Sequence, residues 1–108
     1  MEIFKLSEMI KGWFVGDFEP VIHRTKECEV GIKTYTKGTL EPKHYHKKAI
    51  EITGIIKGKA RINDILLSEG DLIVIRPFEE AEFEAIEDVT TVVFKSLSHL
   101  DDKFIVND

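Results

Sequence analysis

The sequence predicts an all-β domain, a sandwich or a closed barrel, and three observations predict it. Short runs rich in β-branched residues recur from the middle of the chain onward. Turn residues separate them at roughly eight- to twelve-residue spacing, as in sandwiches and barrels. Where apolar residues repeat, they repeat with a period of two, which places them on one face of a strand.

Taken in order, the first element is a short helical turn over Ser7 to Lys11, with Ser7 as its N-cap and Gly12 as its stop. A strand follows, in which Cys28, Val30, Ile32 and Thr34 share one face, and Gly38 ends it. Ala49 to Lys57 is rich in β-formers, and Gly58 supplies a tight turn into Ala60-Arg61-Ile62. Asn63-Asp64 turns the chain into Ile65-Leu66-Leu67, and Ser68 to Asp71 turns it into Leu72-Ile73-Val74-Ile75, which Pro77 ends. Ala81 to Ile86 and Thr90 to Leu97 are the last two strands. Closing the sheet, or folding it double, disposes of exposed strand edges.

Composition narrows the class. A chain of 108 residues, with neither linker nor repeat, fits one domain spanning 1–108. Gln is absent, Asn occurs only at 63 and 107, and Lys, Glu and Ile are abundant, a bias shared by thermophilic proteins and AT-rich genomes. The net charge of −5 opposes the broad positive field that holds a phosphate backbone, so nucleic acid is not an expected partner. No apolar run reaches the roughly 18 residues of a membrane span. The N-terminal residues mix acids with apolar side chains, unlike a secretory signal, and the single cysteine, Cys28, can form no internal disulfide. A cytoplasmic location is the expectation.

Lys43-His44-Tyr45-His46 carries the chemistry. Two residues apart on a strand, His44 and His46 point their imidazoles to the same face. A turn through Lys47 and Lys48 returns the chain, and Glu51 lies on the returning strand within reach of both. Two histidines and one carboxylate on one side of a divalent ion leave positions open for water or substrate, a set suited to Fe, Mn, Ni, Co or Zn. A His-x-His pair by itself is also a common surface or hydrogen-bonding arrangement, and glutamates are numerous here.

The whole run decides between these. Gly38, five residues, His44-x-His46, four residues, Glu51, six residues and Gly58 resembles the first motif of the cupins, with every fixed position present at its spacing. Gly70-Asp71-Leu72-Ile73-Val74-Ile75-Arg76-Pro77 resembles the opening of the second, so the motif region covers about 38–83. The resemblance implies a cupin-type jelly-roll β-barrel with a short N-terminal helical turn, and a homodimer. It also implies that His44, His46 and Glu51 are metal ligands. The fourth ligand, a histidine of the second motif, is absent: Ala81 stands there, and Phe78 replaces a usual glycine. Either the ion keeps three protein ligands, or the site is too weak to work. Glu79, Glu80 and Glu82 are nearby substitutes, but Glu80 and Glu82 face outward if Ala81 and Phe83 face inward.

Other residues weigh less. Thr53 and Ile55 share a face with Glu51 and, with Ala81 and Phe83, are candidate pocket lining. Lys43, Lys47 and Lys48 either draw an anion to the barrel mouth or form a solvated turn. Arg61 and Arg76 read as surface ion pairs, or as grips for a carboxylate or phosphate. The acidic run from Glu79 to Asp88 reads as the wet face of a strand and its turn, Tyr45 as packing on the opposite face from the histidines, and Cys28 as a small buried hydrophobe. Trp13, Phe14 and Phe18 are candidates for a core edge or dimer contact, and His23 and His99 carry no assignment.

Cupin folds host many chemistries, so the fold alone does not choose one. The expectation is a metal-dependent enzyme on a small polar metabolite, a sugar derivative or oxo-acid, of isomerase, epimerase or dioxygenase type. There Glu51 is a ligand, or a catalytic base if it leaves the ion. The alternative is a non-catalytic module that senses a metabolite or a metal, favoured by the missing fourth ligand.

Overall fold

The computed structural model describes residues 1–107, and among them eleven strands lie in two sheets. In chain order they are β1 (Trp13–Gly16), β2 (His23–Arg24), β3 (Glu29–Tyr35), β4 (Leu40–Tyr45), β5 (Glu51–Lys57) and β6 (Lys59–Ile62). Then come β7 (Ile65–Ser68), β8 (Leu72–Ile75), β9 (Ala81–Ala85), β10 (Val89–Lys95) and β11 (Phe104–Ile105). One sheet has the order β2-β1-β3-β10-β5-β8 and the other β11-β4-β9-β6-β7, every pairing antiparallel except β1 with β2. The expected jelly roll is what forms.

Consecutive strands often belong to different sheets, and Gly58 shows how. It is not the apex of a hairpin: β5 lies in the first sheet and β6 in the second, so the chain crosses between sheets there. Gly58 has φ 86, and a Cβ would run into the backbone of Asp88, so only glycine makes the crossing without strain.

The N-terminal segment departs from expectation in detail. Two successive 3-10 turns, Leu6–Glu8 and Ile10–Gly12, replace one helical turn. Ser7 lies inside the first turn, and Lys5, at the N-cap position, makes no side-chain cap. Lys11 sits at φ 53, which breaks the helical path before a second α-turn can close.

The core lies between the sheets. Ile55, Ala60, Ile62, Leu67, Ile75, Ala81, Phe83, Ala85 and Val89 form one buried cluster, with Tyr35 and Ile73 packed against it. Tyr35 and Phe83 meet with ring centroids 4.6 Å apart, a contact that adds to area burial. The acidic run is the wet face expected: Glu79, Glu80, Glu82, Glu87 and Asp88 are exposed, and Glu84 pairs with Arg61 at 3.2 Å.

Strand β3 overturns the predicted inside and outside. Glu29 and Gly31 are buried, and Lys33 and Tyr35 line a cavity between the sheets. Val30, Ile32 and Thr34 face the other way, towards a hollow that Ile32 and Thr34 share with Leu6 and Met9. Cys28 precedes the strand and is half-buried rather than buried. The polar parity turns inward because the sheet encloses a polar cavity at this level, and the N-terminal turns shelter the apolar parity from outside.

Candidate metal centre and its cavity

His44 is the last residue but one of β4, His46 lies just past the strand's end, and Glu51 opens β5. A ligand atom from each lies within 4.8 Å of the others, close enough for one ion to bridge all three. The two imidazoles stand edge to face, 5.4 Å between centroids at 87°, so their nitrogens converge without stacking.

Two of the three donors, His44 and Glu51, are held from behind by hydrogen bonds. His44 Nδ1 lies 3.1 Å from the Pro42 carbonyl, which can only accept, so Nδ1 carries the proton and Nε2 keeps a lone pair free to ligate a metal. The Thr53 hydroxyl donates to Glu51 Oε2 at 3.0 Å. His46 is 5% exposed, and its Nε2 is a buried nitrogen with no hydrogen-bond partner. A buried orphan of this kind costs about 1–3 kcal/mol unless something binds it. Burial, reinforced by Lys95 and His44 and opposed by Asp102, pushes the His46 imidazole down to about 4, so it is neutral and able to ligate at neutral pH.

Asp102, which no sequence pattern singles out, holds the loop between the ligands. It is 5% exposed and accepts backbone N–H groups from Lys47 and Lys48 (both 3.0 Å) and Ala49 (2.9 Å). Burial pushes its carboxyl up, but those three donors, Ala49 first, outweigh it and hold the group below the usual carboxylate range. One carboxylate thus ties down the loop joining His46 to Glu51. Strand β11 pairs with the same stretch, Phe104 opposite Tyr45 and Ile105 opposite His44. Tyr45 points away from the histidines, as expected, and stacks on Phe104 at 5.4 Å and Phe78 at 6.1 Å. Phe78 holds φ 69, the left-handed conformation that a glycine at this place would adopt freely, and its N–H donates to the His46 carbonyl at 2.7 Å.

The place of the fourth ligand is visible. Ala81 pairs across the ladder with His44, is buried, and lines the same cavity as His44 and Glu51. Glu80 and Glu82 are exposed on the other parity and do not complete the shell.

The cavity has a volume of about 230 Å³, below the roughly 300–1,000 Å³ that holds drug-sized ligands. Thr53, Ala81 and Phe83 line it. Ile55 does not: it is 3% exposed in the apolar core, one step deeper along the same face. Lys43, Lys47 and Lys48 are not among its lining residues; Lys11, Lys33, Lys95 and Lys103 are. Trp13, expected at a core edge or dimer contact, forms part of the wall instead. Gly31 makes room for it, since a Cβ there would lie 2.7 Å from the indole.

No family model and no curated protein matches the sequence; solved structures do match the fold. A conserved protein with a double-stranded β-helix domain from Klebsiella pneumoniae superposes with a TM-score of 0.73 at 18% identity, over 98% of this chain and 92% of that one. KdgF from Halomonas sp. gives 0.64 at 20% identity, over 71% and 74%. The pirin YhhW of Escherichia coli, solved with nickel(II), gives 0.68 at 13% identity, over 82% of this chain and 39% of that one. The chain is a small domain of the cupin fold, with a His-His-Glu cluster that could hold a metal ion.

Proposed function

We propose that the protein binds one divalent metal ion through His44, His46 and Glu51 and acts on a small polar metabolite, a sugar derivative or an oxo-acid, in the adjoining cavity. The His46 imidazole carries this reading: its Nε2 is buried with no hydrogen-bond partner, and the residue offers a ligand atom within 4.8 Å of ones from His44 and Glu51, a donor set that suits a divalent ion. A bound ion would supply Lewis acidity toward substrate oxygens. The chain's own residues supply the rest. Pro42 fixes the His44 tautomer, Thr53 holds Glu51, and the cavity wall orients the ligand. Glu51 is the one titratable ligand carboxylate and the candidate base if it leaves the ion. Fe, Mn, Ni, Co and Zn all suit the donor set; the nickel in the pirin shows one of them in a protein of like fold.

Ala81 favours a second reading. With a methyl group where a fourth ligand would stand, the site keeps space and loses affinity, which suits a non-catalytic module sensing a metabolite or metal. Either reading includes a homodimer and a cytoplasmic location. The outer face of the six-stranded sheet exposes Ile56, Leu72, Val74 and Phe94, apolar surface that pairing of two copies would cover.

Elemental analysis of protein purified without chelator or affinity tag tests the metal, beside a His44→Ala/His46→Ala double variant. Near-stoichiometric metal in the natural chain, lost in the variant, is the expected result. Absence of metal from both, even after reconstitution, overturns the metal reading. Turnover by the loaded protein separates enzyme from module.

A further inference from the structure

The register of the six-stranded sheet builds a second feature beside the metal cluster. Glu51 pairs across the ladder with Lys95, and Lys95 with Glu29. Two rungs away, Thr91 pairs with Lys33. On the rung between them stands Gly31, whose missing side chain admits the indole of Trp13 from the neighbouring strand. Both ammonium groups therefore rest on one aromatic ring: Lys33 Nζ is 5.0 Å and Lys95 Nζ 4.9 Å from its centroid.

The two lysines differ in their partners. Lys95 has a counter-ion, Glu29, at 3.7 Å. Lys33 is half-buried, and among the described residues no carboxylate lies within ion-pair distance of it. Burial lowers its proton affinity; Glu41 opposes that, while Lys95, Lys103 and Lys11 add to it. Partly withdrawn from water without an anion, such a group has a charge that no protein carboxylate balances. Across the whole cavity four lysines face two glutamates, one of them Glu51, the carboxylate of the proposed metal centre. In a chain with a net charge of −5 this is a local inversion of sign.

We propose that Lys33 and Lys95, seated on Trp13, form a carboxylate-binding subsite, so that the ligand is a small organic acid whose hydroxyl or oxo oxygen reaches the His44, His46 and Glu51 cluster. The proposal rests on the reading of this cavity as the working site and narrows its substrate class: uncharged sugars are excluded, while hydroxy-acids, oxo-acids and sugar acids remain. The small volume keeps the ligand to metabolite size. Lys11 and Lys103, both exposed, stand at the rim and raise the local concentration of anions.

Isothermal titration calorimetry, with fluorescence of Trp13 as the reporter of location, tests it; Trp13 is the sole tryptophan. Paired probes differ in one carboxylate: lactate against lactamide and galacturonate against galactose, with inorganic phosphate as a competitor. At least one acid is expected to bind saturably and perturb Trp13, its neutral partner not. Lys33→Gln raises the dissociation constant by about tenfold, the loss of one charge-assisted contact. Lys59→Gln, on an exposed β6 position, leaves it unchanged. Thermal melts check that Lys33→Gln still folds, as a variant losing an unpaired charge should.

Equal binding of acids and neutral partners, binding indifferent to Lys33→Gln, no saturable binding of any acid, or phosphate outcompeting every acid each overturns the proposal. Running the series on metal-loaded and on chelator-stripped protein separates it from the reading beneath it. Acid binding that depends on Lys33 in a protein that takes up no metal leaves the subsite standing and the metal reading fallen. Stoichiometric metal with acids indifferent to Lys33 gives the reverse.

Discussion

The two ends of the barrel are built from the same strands and do opposite things. Along the inner face of β5 the chain reads Glu51, Thr53, Ile55: a candidate ligand, the hydroxyl that holds it, and a core residue, within two rungs. One end gathers the closed cluster of Ile55, Ala60, Leu67, Ala85 and Val89. The other holds an orphaned imidazole, lysines on an indole and a carboxylate strapping a loop. The closed end carries stability through burial of apolar area. The open end gives up some of it to keep polar groups around a cavity. The lesson is that a single strand, read by alternate residues, can serve both ends, provided that polarity changes along it rather than across it.

The largest expected effect lies at the closed end. Leu67→Ala removes a side chain buried in that cluster and away from the cavity wall, and leaves a void, costing about 2–5 kcal/mol in urea unfolding. Metal stoichiometry in the protein that remains folded should be unchanged. A loss of metal in proportion to the loss of stability would break the division between the two ends.

Asp102→Asn comes next. It preserves shape but replaces a charged acceptor of three backbone N–H groups, for about 1–3 kcal/mol. Because the loop carries the ligand geometry, metal affinity should fall by about 10–100-fold, the usual effect of losing an outer supporting group. Metal titration against a competing chelator measures it. A variant that loses stability with affinity untouched would reduce Asp102 to a structural strap.

The smallest effect is a pH slope in the metal-free protein. His46 has its folded value lowered to about 4, against about 6.5 in the unfolded chain. Between these values the unfolded state binds the extra proton, so stability is full above the unfolded value and falls as the pH drops through the window. The slope is at most about 1.4 kcal/mol per pH unit. His46→Leu should remove this contribution and abolish metal uptake, while costing little or nothing at neutral pH because the orphan nitrogen goes with it. An unchanged slope in that variant would assign the titration elsewhere.

Much of the site was legible because it is local. Gly38 to Gly58 places His44, His46 and Glu51 on neighbouring stretches by spacing alone, and the structure brings their donors together. The inner position of Ala81 and the outward Glu80 and Glu82 followed from strand alternation. What failed was parity and depth. In β3 the apolar residues suggested the inner face, but Lys33 and Tyr35 line the cavity there. Ile55 shares the face of Glu51 yet lies below the cavity, because alternation reports a side and not a level.

The sequence by itself determined the strand-and-turn rhythm, the all-β class and the clustering of His44, His46 and Glu51, since each depends on residues near one another along the chain. Only the tertiary structure decided that Lys33, Lys95 and Trp13 meet, that Asp102 clasps the ligand loop, and that Gly58 passes the chain between sheets. Those contacts come from strand register and sheet order, which bring together residues far apart in the chain, and no local pattern of residues encodes a pairing over such a distance.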